Sequence, residues 1–177
     1  GKAGFLGIGA APARVKVTKI SEGRTAASSA VETISRILEH AGVNVSRTLR
    51  AANDPDSGGP VIDLEGEDSG LLIGRRGQTL AALQFLVNMI VRKEFGDGVR
   101  VVLDVEHYRQ RREASLRDMA TKVASRVMQT SRSVTLEPMN AADRRIVHTT
   151  LTDHSGVTTE SSGMGEGRKV TISPARD

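Results

Sequence analysis

Two short runs of this chain combine residue types that hold phosphate. The first is Ile73-Gly74-Arg75-Arg76-Gly77-Gln78. Its two glycines let the backbone turn sharply and come close to a ligand, because no Cβ intervenes. A helix is expected to start right after the loop, and its unpaired N–H groups and positive dipole end favour an anion there. Arg75 and Arg76 add charge and forked hydrogen-bond donors. The second run is Arg144-Arg145-Ile146-Val147-His148. Arg144 and His148 stand four apart, so a helix places them on one face while Ile146, Val147 and Leu151 turn to a core. Each run has a bland counterpart: a Gly-rich turn with solvated arginines, or an amphipathic helix with an exposed Arg and His. Context decides between the two readings.

That context is set by the elements around each run. Apolar Val31, Ile34, Ile37 and Leu38 predict a helix over 28–41, ended by Gly42. Val43–Ala51 reads as a strand, Asn53–Gly59 as a turn, and Val61, Ile62 and Leu64 as a second strand closing a hairpin. Asp68–Ile73 reads as a short helix with Asp68 as N-cap. A longer helix runs from Gln78 to Phe95 with Leu80, Leu83, Val87, Ile90 and Val91 as its buried stripe. Val99, Val101, Leu103 and Val105 alternate as a strand. The glycine loop therefore joins two helices inside an α-β-β-α-α-β order. Both arginines are expected to stand exposed in it, without core contacts.

The last third opens with a helix from Glu106 to about Thr130, striped by Leu116, Met119, Ala120, Val123 and Val127. A short strand, Val134–Leu136, follows. Asn140 caps the next helix, with Asp143 three residues on in a capping-box-like spacing. Strands over Thr158–Ser161 and Lys169–Ile172 flank a turn holding Gly163, Gly165 and Gly167. Near the start, residues 4–17 read as a Gly-rich turn with a strand at Ala13–Thr18, and 18–27 as a linker.

Composition narrows the function classes. The 177 residues carry 25 Lys and Arg against 21 Asp and Glu, a net charge of +4. The charge is uneven: +5 over residues 1–50, −4 over 51–105 and +3 over 106–177. Arg75 and Arg76 thus stand against a locally acidic trend. Cysteine is absent, which removes disulfide scaffolds, thiolate metal sites and cysteine nucleophiles. Only Phe5, Phe85, Phe95 and Tyr108 are aromatic, too few for rows of stacking rings. No apolar run is long enough to span a membrane. The glycines at 4, 7 and 9 make no dinucleotide fingerprint after a strand, no Walker lysine follows any glycine loop, and no G-x-S-x-G elbow is present. The histidines at 40, 107, 148 and 154 lack metal-ligand spacing. Catalysis is not expected, and neither a metal nor a cofactor is called for.

Gly74-Arg75-Arg76-Gly77 within α-β-β-α-α-β resembles the KH domain in its bacterial topology, a module that clamps about four nucleotides of single strand with its G-x-x-G loop. The segment from Pro138-Met139-Asn140 to Arg144 and His148 resembles the Arg-x-x-x-His domain, which binds single-stranded nucleic acid. In this order the two resemble the bacterial Jag family, and Gly4-Phe5-Leu6-Gly7-Ile8-Gly9 with Pro12-Ala13-Arg14-Val15 is similar to the end of that family's N-terminal domain. The chain starts Gly1-Lys2-Ala3-Gly4 without Met and reads as the interior of a longer protein, or one with its start removed.

The resemblance implies an α/β (α+β) fold in three parts. Residues 1–27 are a remnant of the N-terminal domain and a linker, 28–105 the KH domain, and 106–177 the Arg-x-x-x-His domain. The implied RNA-binding residues are Ile73, Gly74, Arg75, Arg76, Gly77, Gln78, Arg144, Arg145 and His148. The helices from Ile73 to Leu83 would form one side of the groove and strand Val61–Leu64 the other. The implied function is cytoplasmic binding of single-stranded RNA, with single-stranded DNA as a further ligand, in a regulator linked to cell elongation or envelope growth. The alternative is a scaffold for a membrane-insertase or cell-elongation partner. A small KH-domain protein is a further implied partner, a homo-oligomer is open, and direct membrane insertion is not implied.

Overall fold

The computed structural model describes residues 23–175; the turn, strand, linker start and N-terminal remnant read in residues 1–22 lie outside them. Helix α1 (Ala26–Ala41) begins two residues earlier than its apolar spacing indicates, because Thr25 and Ser28 cap each other's backbone. It ends at Gly42 in the left-handed conformation. Strand β1 (Ser46–Asp54) pairs antiparallel with β2 (Gly59–Glu65). This corrects the sequence reading: Val43 leads in without joining the strand, and Asn53 and Asp54 extend it. Val45 is buried but irregular, so its alternation reflects packing rather than strand pairing.

Helix α2 (Ser69–Ile73) follows, then α3 (Gln78–Phe95) and β3 (Val102–Val105). Asp68 occupies the N-cap position of α2 but does not cap it; its carboxylate accepts from the Asn44 amide at 2.7 Å instead. Strand β3 lies parallel to β2, with Ile62 beside Leu103 and Leu64 beside Val105, so the sheet order is β1-β2-β3. The first core joins Ile34 and Leu38 of α1, Ile62 and Leu64 of β2, Leu80, Val87 and Val91 of α3, and Leu103 and Val105 of β3. Ile90, expected inside, is 42% exposed.

Helix α4 (Tyr108–Thr130) starts after Glu106 and His107, both in the left-handed region at φ 47° and 55°. The strand thus does not run straight into the helix. Strand β4 (Val134–Thr135), helix α5 (Ala141–Leu151), and strands β5 (Val157–Ser162) and β6 (Lys169–Pro174) complete the described chain. The second sheet has order β4-β6-β5 and is antiparallel throughout. A separate core gathers Leu116, Ala120, Ala124 and Val127 of α4 with Val147, Leu151, Val170 and Ile172. Met119 and Val123 pack at its margin. The fold is α+β, as expected. Among the described residues, no helix is long and apolar enough to cross a membrane.

Candidate nucleic-acid interface

The glycine loop is built by its two glycines and by a tyrosine from beyond the first core. Gly74 ends α2 with φ 66° and ψ −170°, a region that essentially only glycine visits. Arg75–Gly77 then form a single 3-10 turn, with Arg76 left-handed at φ 55°. Gly77 stands at φ 80° where α3 begins, and no side chain caps that helix end. The Tyr108 ring lies against Gly77, so that a Cβ there would sit 2.8 Å from the ring. Tyr108 is half-buried, and burial pushes its phenol above the ordinary value.

The two loop arginines differ. Arg75 is exposed. Arg76 is half-buried, and its guanidinium donates to the Pro138 carbonyl and pairs with the Glu137 carboxylate. The expectation that both stand exposed is therefore wrong for Arg76, although it is part of neither apolar core. Gln78 reaches across in the same direction, its amide 3.5 Å from a Glu166 carboxylate oxygen. No sequence spacing announces these contacts, since the partners are 61 and 88 residues away.

On the second unit, Asn140 caps α5 by accepting from the Asp143 amide at 2.8 Å. Asp143 does not return the bond as a capping box would. Its buried carboxylate instead receives the Arg112 guanidinium at 2.8 Å, tying α4 to α5. Arg144 donates to the Met139 carbonyl at 2.8 Å and lies half-buried. His148 is held through both ring nitrogens, Nδ1 at 2.6 Å from Thr159 Oγ1 and Nε2 at 2.7 Å from Ser161 Oγ. Arg145 is exposed.

These elements enclose a cleft of about 350 Å³ lined by Arg76, Gln78, Pro138, Met139, Asn140, Ala141, Arg144, Gly165 and Glu166. The structure thus brings Arg76, Gln78 and Arg144 together, and leaves Gly74, Arg75, Gly77, Arg145 and His148 off the lining. Ile73 packs at the edge of the first core behind the loop. Arg168, which follows the Gly-rich turn, is exposed, and its carbonyl accepts from the Met139 amide at 3.1 Å. Sequence reasoning missed Glu137 and Glu166, which place two carboxylates among the cations.

One wall of the expected groove needs correction. Strand Val61–Leu64 is the middle of its sheet, and Val61, Ile62 and Leu64 are buried, so it offers no free edge. The strand beside α3 with an outer edge is β3, and α3 already covers part of it. Gln84 Oε1 accepts from the Leu103 amide and Asn88 Oδ1 from the Val101 amide, each at 2.9 Å.

Residues 30–105 match the family model described as KhpA/KhpB, KH domain, and residues 114–174 match the model of the R-three-H domain, the Arg-x-x-x-His module. The chain is 39% identical over its whole length to RNA-binding protein KhpB of Clostridium symbiosum, spanning 78% of that relative. It is 35% identical to the Bacillus subtilis (strain 168) protein of the same name, over 99% of this chain and 83% of the relative. The protein of that name from Lactiplantibacillus plantarum is 37% identical over 63% of this chain and 34% of its own length.

Proposed function

Since the chain belongs to the KhpB family, the Jag proteins in which a KH domain is followed by an Arg-x-x-x-His domain, we propose that it binds single-stranded RNA along the cleft between the two units. The observation that carries this reading is the shared lining: the start of α3 on one side, Arg144 and the α5 cap on the other. Gly74–Gly77 turn the backbone toward the strand, the uncapped α3 terminus receives a phosphate, and Arg75 supplies an exposed cation. Arg144 meets the backbone further along, with Arg145 at the exposed margin. His148, both nitrogens engaged, orders β5 against α5. Single-stranded DNA offers the same phosphates and is a competing ligand.

Two phosphate-contacting surfaces on one strand raise each other's effective concentration. A labelled RNA 20-mer is therefore expected to bind about 10²-fold more tightly than a 4-mer. Arg75→Ala and Arg144→Ala should each weaken the 20-mer by about tenfold. Arg75→Ala should leave the melting temperature in place, as surface changes do, and Arg144→Ala should lower it by the loss of one bond to the Met139 carbonyl. Fluorescence anisotropy at two salt concentrations tests this. Equal affinity for both lengths, or full binding by the Arg75→Ala, Arg144→Ala double variant, would reject it.

The scaffold reading has one observation of its own. Phe85, Leu86, Met89 and Ile90 form an exposed apolar face on α3, larger than isolated surface hydrophobes need. A small KH-domain protein docking there would cover it, and Phe85→Glu with Met89→Glu would abolish the complex in sedimentation. A role in cell elongation would follow from which transcripts or partners are held, which crosslinking in cells reads directly.

A further inference from the structure

Arg76 and Glu137 stand where the two units meet. Arg76 is held left-handed, its side chain is 27% exposed, and its guanidinium spans a backbone carbonyl and a carboxylate of the segment leading into α5. An arginine fork gripping two acceptors fixes direction as well as distance. Other constraints on the junction are few. The chain crosses from β3 to α4 through two left-handed residues, Tyr108 seats the first turn of α4 on the glycine loop, and Arg109 donates to Gln84 at 3.1 Å. Gln78 approaches Glu166 only at 3.5 Å, and none of these contacts reaches the Pro138–Arg144 segment itself.

We propose that Arg76 is not a phosphate ligand but a positioning residue: clasped to Glu137 and Pro138, it sets the spacing between Arg75 on the loop and Arg144 on α5. The proposal rests on the RNA-binding reading of the cleft and assigns different work to the two adjacent arginines. Arg75 points to solvent and meets the strand. Arg76 spends its donors inside the protein, and a phosphate reaching it must first displace a carboxylate. The clasp adds little stability, because Glu137 is 83% exposed and such pairs are screened by water. Its consequence is geometric: without it the two surfaces lose their fixed separation, and the gain from joining them falls.

The test uses the absence of native cysteine. Spin labels at Lys93→Cys on α3 and Asp153→Cys after α5 report the distance between the units. A single narrow distribution is expected in the labelled chain. Arg76→Ala, or Glu137→Arg with its like charges, should broaden it, and the swap Arg76→Glu with Glu137→Arg should narrow it again. In RNA binding, Arg76→Ala should lower the 20-mer to 4-mer affinity ratio by about tenfold and leave the 4-mer itself unchanged. The swap should recover the ratio. An unchanged distance distribution in both single variants overturns the proposal. So does a loss of 4-mer affinity in Arg76→Ala as large as that in Arg75→Ala, which would make Arg76 a ligand. If the unsubstituted chain binds no RNA of any length, the functional reading fails, and the spin-label distances still judge the clasp.

Discussion

Gly74 and Gly77 frame the loop, but each is required for a different reason. At Gly74 the backbone lies at φ 66° and ψ −170°, and a Cβ would stand 2.0 Å from Thr79 Oγ1. Gly74→Ala should therefore cost about 2–3 kcal/mol, combining backbone strain with displacement of Thr79. At Gly77 the conformation is ordinary left-handed, and the obstacle is the Tyr108 ring. Gly77→Ala should cost about 1–2 kcal/mol. Gly70, helical in α2 with nothing near its absent Cβ, is the control. Gly70→Ala should leave stability unchanged or raise it by about 0.5–1 kcal/mol. Urea unfolding checks the order; equal losses at all three positions would contradict it. Tyr108 is the single tyrosine of the chain, so its titration reads the loop directly. Burial, aided by the charge of Asp143 and opposed by that of Arg112, raises its pKa above the ordinary 10.0. The folded state then holds the proton more tightly than the unfolded state. Its contribution to stability is complete below pH 10.0 and declines as pH rises through the raised value. The near-ultraviolet phenolate signal should appear later than in the urea-unfolded chain. Coincident titrations would mean the ring does not pack as described.

Helix α3 connects the loop to the sheet, and its polar residues do more than face water. Gln84 and Asn88, one turn apart on one face, satisfy the outer edge of β3 and of Val101 just before it. Asn88 both accepts from the Val101 amide and donates to the Val101 carbonyl, and Gln84 accepts from Leu103. Gln84→Ala or Asn88→Ala leaves an edge amide without its partner, at a cost of about 1–3 kcal/mol each. Hydrogen exchange at Val101 and Leu103 should speed up specifically; protection equal to the unsubstituted protein would refute the edge-capping role. This pattern also marks how far the sequence could be read. The bounds of α3 were plain, because glycines punctuate both ends and the leucine and valine stripe runs between them. The α-β-β-α-α-β order was legible for the same reason. Strand limits were not: Val43 and Val45 alternate like a strand yet precede it, and Ile90 fits the stripe yet faces out. Local periodicity records apolar spacing and says nothing of which neighbour covers each position. The loop and the α5 run were visible as residue types. The Arg76–Glu137 clasp was invisible, because it depends on two units meeting in space.

At the scale of the molecule, two cores among the described residues are built from separate stretches, and none of their buried residues belongs to both. What joins them is mostly polar: Arg76 with Glu137 and Pro138, Gln78 with Glu166, and Arg109 with Gln84. Polar, partly exposed contacts of this kind couple folding weakly, so each unit should fold without the other. The exception is Tyr108. It opens α4, which otherwise serves the second core, yet it packs on the first core and on Gly77. Its place makes the division of the chain unequal to a cut at the end of β3. A fragment of residues 23–105 loses that ring, whereas 23–112 keeps it with the first turn of α4. Partial burial of one aromatic side chain contributes about 1–2 kcal/mol by apolar area. The longer fragment should therefore be more stable by that amount in urea. Tyr108→Ala in the longer fragment should bring it down to the level of the shorter one, while the second unit, 106–175, folds with or without the substitution. Should both fragments unfold at the same urea concentration, the ring would belong to the second unit alone, and the glycine loop would lack the support from α4 that the structure gives it.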